Sequence, residues 1–179
     1  MPKTRATLIR RFRLTESSLI VHWCSSTAGL IKTVAKGALR PKSRFAGRLD
    51  LFYEGDIDFH PSRRSDLHQL TEVSVTDHRA AIATDYRRLL AATYFVQLVE
   101  LTAEKETPIP EIHDLLARAL DYLDRSAPTQ RAVIRYEERL VSHLAIPGPR
   151  GVSAIHAIRD CYHRIPSSRH PLMDALPPR

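Results

Sequence analysis

The hydrophobic period of this chain changes once, near residue 78, and that switch restricts it to strands first and helices afterwards. Segment 6–14 alternates, with Leu8, Phe12 and Leu14 on one side and Arg11 and Arg13 on the other. Segment 18–25 follows, with Leu19, Val21 and Trp23 on one face, and then 30–35. The clearest alternation is 51–60, where Leu51, Tyr53, Ile57 and Phe59 share one parity. Glu54, Asp56, Asp58 and His60 share the other, which reads as a solvent face. In 67–76 the apolar positions Leu67, Leu70, Val73 and Val75 change parity midway, as a β-bulge would make them do.

Beyond residue 78 the spacing becomes helical. Asp85 is placed to cap YRRLLAATYFVQLVEL, a run apolar enough to form the buried central helix of its domain. TPIPE breaks the chain and starts a second helix at Pro110, whose Ile112, Leu115, Leu116, Ala119, Leu120 and Leu123 share a face. Thr129 is placed to cap a third, carrying Val133, Ile134, Leu140, Val141 and Leu144. PGPRG stops it, and a short helix over 152–164 precedes a proline-rich tail. Strands and helices in separate blocks predict an α+β chain. Its domains are a strand domain over 1–78 and an all-helical domain over 79–179. Five short strands with one long connection suit a small closed barrel such as the OB-fold, and a simple meander satisfies the same pattern.

That long connection carries the chemistry. KTVAKGALRPKSRFAGR, residues 32–48, holds Lys32, Lys36, Arg40, Lys42, Arg44 and Arg48 and no carboxylate. Gly37, Gly47 and Pro41 put most of it on a loop, which gathers its cations on one rim instead of spreading them around a helix. Residues 1–48 have 11 Lys and Arg against one acid, Glu16, whereas the whole chain is only +7, so the remainder is net acidic. Such polarisation implies a polyanionic partner, and nucleic acid is the one inferred. Arg11 and Arg13 extend the same basic surface. Phe45, Phe12 and Trp23 are candidates for stacking on bases. The two glycines would let the backbone approach a strand closely.

Other chemistry finds little support. Nine histidines form no HExxH and no paired Cys–His spacing, and Cys24 and Cys161 stand far apart, with no CxxC. Asp56 and Asp58 share a strand face without a catalytic setting, and GALRPKS lacks the end of a Walker loop. No apolar run reaches the roughly 20 residues that span a bilayer. A cytoplasmic protein with no catalytic residues, metal, cofactor or small-molecule substrate is expected.

VAKGALRPKSRFAG resembles the signature of the bacterial recombination mediator family RecO. ESSLIVHWCSSTAGL, SDLHQLTEVSV and RYEERLVSHLAI resemble three further segments of that family, in the same order. The resemblance implies an N-terminal OB-fold, a C-terminal helical domain and a non-enzymatic role in recombinational DNA repair. It implies binding of single- and double-stranded DNA, strand annealing, and action with RecR to load RecA on DNA coated by single-stranded-DNA-binding protein. Lys32 and Lys36 match positions of DNA contact, and Arg40, Lys42, Arg44 and Arg48 match basic positions of the same loop. Arg135 and Tyr136 match an R-[FY]-E element near the pocket that takes up the acidic tail of the single-stranded-DNA-binding protein. A pair between Arg135 and Glu138 is the competing reading of that arginine.

The chain also departs from the family pattern. AIPGPRG stands where many members carry a four-cysteine zinc module, IPSSR replaces a P-L-K-S-R-type element, and Ala145-Ile146 replaces Gly-Tyr. Two rival functions stay open: an RNA-binding OB protein linked to translation, and a protein-interaction adapter without DNA binding.

Overall fold

The computed structural model describes residues 3–146 and 151–178. Its strands are β1 (Lys3–Arg13), β2 (Leu19–Ser25), β3 (Gly29–Ala35), β4 (Glu54–His60) and β5 (Leu67–Asp77). They close into a barrel in the order β1-β2-β3-β5-β4, with β3 and β5 parallel and every other pairing antiparallel. This closed five-stranded barrel, followed by a helical region, is the OB-fold arrangement, and the meander alternative is excluded. Trp23, Leu8, Val21, Ile57 and Leu70 fill the interior. The Trp23 indole donates to Thr33 Oγ1 at 2.9 Å, which satisfies the one polar atom that ring buries.

Two bulges decide which side chains face inward. In β5 the pairing slips between Asp58↔Glu72 and Phe59↔Leu70, so Leu70 and Val73 both reach the core, as the parity change in the sequence anticipates. In β1 the register slips between Leu8 and Arg10, and this one is a correction. Leu8 is buried, but past the bulge Arg11 and Arg13 take the inward parity opposite Val21 and Leu19. Phe12 and Leu14 then turn outward and are 47% and 46% exposed. One inserted residue exchanges the faces of everything beyond it.

The expected strand 51–60 begins only at Glu54, because Phe52 adopts a positive φ of 69° and is buried. Glu54 does not face solvent as expected. Thr7 Oγ1 donates to its Oε2, and His113 Nε2 lies 3.1 Å from Oε1. The outer side of a barrel strand is solvent only where nothing covers it, and here residues Glu104–His113 pack with the barrel as one compact unit.

The chain divides into Met1–His78 with Glu104–His113, and Arg79–Ala103 with Asp114–Arg179. The helices are α1 (Ala80–Thr84), α2 (Tyr86–Thr102), α3 (Pro110–Arg125), α4 (Gln130–His143), α5 (Ala154–Tyr162) and α6 (Arg169–Ala175). Asp85 and Thr129 act as N-caps, accepting from the amides of Arg88 and Ala132. In the second unit α2 buries Tyr94, Phe95, Leu98 and Val99, consistent with a central helix. Ile134 of α4 is 39% exposed rather than part of the buried face. The proline-rich tail contains a helix, α6, that periodicity does not reveal, and Leu172 within it is fully buried. The PGPRG break falls largely on residues 147–150, outside the described residues, as does the direct join in place of a zinc module.

Candidate nucleic-acid interface

The connection from β3 to β4 covers residues 36–53 and is built from consecutive turns, not a helix. Arg40 N donates to Gly37 O, Ser43 N to Arg40 O, Ala46 N to Ser43 O and Arg48 N to Phe45 O, at 3.0–3.1 Å. Gly37 and Gly47 sit at φ of 71° and 69°, so they serve the turns themselves, and Pro41 supplies no amide for a helical ladder. Phe45 and Leu49 turn inward and join the barrel core. Burial removes Phe45 and Trp23 from the candidates for base stacking and leaves Phe12.

Polar contacts hold this loop to the barrel on three sides. Leu39 N donates to Ser17 O at 3.0 Å, the Arg11 guanidinium to Leu49 O at 2.7 Å, and the Arg48 guanidinium to Val73 O at 3.1 Å. The scaffold is therefore anchored by apolar groups, backbone groups and the Arg48 guanidinium, which leaves the tips of Lys36, Arg40, Lys42 and Arg44 free of that task. Lys36, Arg40, Lys42, Arg44 and Arg48 are exposed, and none has a carboxylate partner among the described residues. Arg44 lies over the Phe45 ring, 4.9 Å from its centroid. Unneutralised cations this close in sequence sum their fields.

The other basic candidates are engaged. Lys32, on the outer side of β3, donates to Asp66 Oδ2 at 2.7 Å. That bond and the lysine's charge hold the Asp66 carboxyl below the usual carboxylate range. Arg11 pairs with Asp50 at 3.1 Å, and Arg13 donates to the carbonyls of Thr15 and Glu16. Asp56 meets Arg5 at 3.5 Å across the β1–β4 ladder, so that acidic face is paired in part.

A second charged feature lies within the helical unit. A groove of about 480 Å³ is floored by Phe95, Leu115 and Tyr136 and rimmed by Arg118, Arg131, Arg135 and Arg139. Arg131, Arg135 and Arg139 recur every four residues and so form one stripe on α4, roughly 12 Å long at 1.5 Å per residue. Arg118 pairs with Asp114, while the three α4 arginines have no carboxylate partner among the described residues. The alternative pair between Arg135 and Glu138 does not form. Tyr136 is buried, its ring stacked on Phe95 at a centroid distance of 4.1 Å, so it shapes the floor.

Glu137, beside it, was not singled out by the sequence. It is buried, accepts from the Tyr94 hydroxyl at 2.6 Å, and accepts from Arg169 at 2.7 and 3.2 Å. Burial, followed by the Glu137 charge, pushes the Tyr94 phenol far up. Arg169 ends IPSSR and Glu137 ends Arg135-Tyr136-Glu137, so two motifs distant in sequence meet and fix α6 against α4 and α2. Among the described residues no group of three or more His, Cys, Asp or Glu is placed to hold a metal ion.

Comparison with protein families agrees with this two-part organisation. A family model described as recombination protein O N terminal matches residues 1–79, and one described as recombination protein O C terminal matches residues 83–144. The match takes in all five barrel strands and runs on through α2, α3 and α4. On that span the chain belongs to the RecO family, whose members are recombination mediators in DNA repair.

Proposed function

We propose that this protein is a non-enzymatic recombination mediator that holds single- and double-stranded DNA by the sugar–phosphate chain. The contacts are Lys36, Arg40, Lys42, Arg44 and Arg48 of the loop, joined by Lys32 when a phosphate displaces Asp66. The observation that carries this reading is the row of exposed loop cations that have no carboxylate partner among the described residues, on a loop that the Leu39 amide, the Leu49 carbonyl and the Arg48 guanidinium anchor to the barrel. Binding gains free energy from released counterions and reads no sequence. Annealing follows, because two strands held on one cationic face lose much of their mutual repulsion. Working in the cytoplasm, at the nucleoid, with RecR, it assists RecA loading on DNA coated by single-stranded-DNA-binding protein.

The α4 groove suits the acidic tail of the single-stranded-DNA-binding protein. Its arginines can clamp carboxylates while Phe95, Leu115 and Tyr136 accept an apolar side chain. The experiment is annealing of complementary oligonucleotides followed by fluorescence. Wild type accelerates it, and Lys36→Glu with Arg40→Glu slows it by about tenfold or more, equivalent to about 1.5 kcal/mol or more from charge-assisted contacts. Undiminished annealing by the double variant contradicts the proposal, and a strong preference for RNA over matched DNA favours the translation-linked alternative.

A further inference from the structure

We propose that the outer face of β1, β2 and β3 carries a seat on which an unpaired base of single-stranded DNA stacks, with Phe12 as its platform. The inference rests on the DNA-binding reading above and adds to it a site for the base itself. The register aligns Phe12 with Ile20 and Ile20 with Val34, an apolar row running across three strands. The neighbouring row is Arg10, His22 and Lys32. Lys36 follows Val34 by two residues, in the turn just past β3, so Lys32 and Lys36 flank Val34, the β3 member of that row, along the chain. The His22 ring meets the Phe12 ring edge-on, with centroids 5.2 Å apart, which steadies the phenyl while leaving it 47% exposed.

The exposure is a consequence of construction. Without the bulge between Leu8 and Arg10, Phe12 would take the inward parity and Arg11 the outward one. With the bulge, an aromatic ring is directed to solvent on a sheet face whose third strand carries Lys32, held by Asp66 until a phosphate displaces it, and leads into Lys36. A π face flanked by cations is the arrangement that binds single strands without sequence preference, since every base can stack. A duplex keeps its bases stacked on each other and offers none to the ring. Phe12 therefore distinguishes single strands from duplex, whereas the loop cations serve both.

The test measures equilibrium binding of the full chain to a thymidine oligonucleotide and to a duplex of equal length. Phe12→Ala is expected to weaken single-strand binding by about ten- to a hundredfold, from the stacking contribution of one base. Duplex affinity stays unchanged, which also shows that the variant is folded, and Phe12→Tyr restores single-strand binding. Wild-type affinity of Phe12→Ala for the single strand overturns the seat while leaving the DNA-binding reading intact. An equal loss on both substrates likewise overturns it, by making Phe12 structural. Failure of the wild type to bind either substrate removes the DNA-binding reading and the seat with it.

Discussion

At the scale of single residues, Asp66 is the brake on Lys32. Its carboxylate accepts a hydrogen bond from the lysine's ammonium at 2.7 Å, so a phosphate reaches that ammonium only by displacing an acid. The depressed pKa of Asp66 means the pairing is complete above the ordinary carboxylate range and is lost only as pH falls through the lowered value. Neutral pH changes therefore do not release Lys32, and substitution must. Asp66→Asn is expected to tighten single-strand binding severalfold in an anisotropy titration, and unchanged affinity would place Lys32 outside the contact surface. This brake was hidden in the sequence, where 34 residues separate the partners and only the parallel pairing Lys32↔Leu67 brings them together. Glu54 was hidden for a similar reason. Its alternation with Ile57 and Phe59 identifies the face it is on, but not the His113-bearing segment that covers that face.

At the scale of elements, legibility followed the length and regularity of the pattern. The caps at Asp85 and Thr129 and the bulge in β5 were readable because a side-chain type or a parity break marks each locally. The β1 bulge was not, since LIRRFRL alternates well enough in the unbroken register to mask the inserted residue. α6 has only seven residues, and its anchor, Arg169 on Glu137, lies 32 positions away. Ala145-Ile146 shows what a departure from the family pattern does physically. Ala145 adopts a φ of 49° just past the end of α4, and Ile146 N donates to Val141 O at 3.2 Å. This is a left-handed helix ending in which glycine is favoured and alanine carries a steric cost. Ala145→Gly is expected to stabilise the protein by about 1 kcal/mol in denaturant unfolding; a loss of stability would contradict that account of the helix end.

At the scale of the whole molecule, the two units each carry a charged surface, and in the proposed function these divide the work, loop cations for the DNA backbone and an arginine-rimmed groove for a protein tail. The loop was legible as a concentration of positive charge because six cations without an acid persist through any plausible local conformation. Which cations of the loop and of β1 remain available was not, because Lys32, Arg11 and Arg13 find their partners only in the closed barrel. The groove was legible only at Arg135 and Tyr136; Arg118 joins from α3 through packing. Arg135→Glu is expected to weaken binding of an acidic-tail peptide at least tenfold while leaving DNA affinity unchanged, as measured by calorimetry and anisotropy side by side. Equal peptide affinity would remove the groove from the account. The central claim concerns the loop, and salt dependence tests it most directly. For the wild type binding a single strand, the slope of log K against log salt should be roughly −4, from about six phosphates engaged. Replacing Lys36, Arg40, Lys42 and Arg44 with glutamine should flatten it by roughly 3, about 0.7 for each contact removed. A slope unaltered by those four substitutions would show that the DNA backbone is held elsewhere.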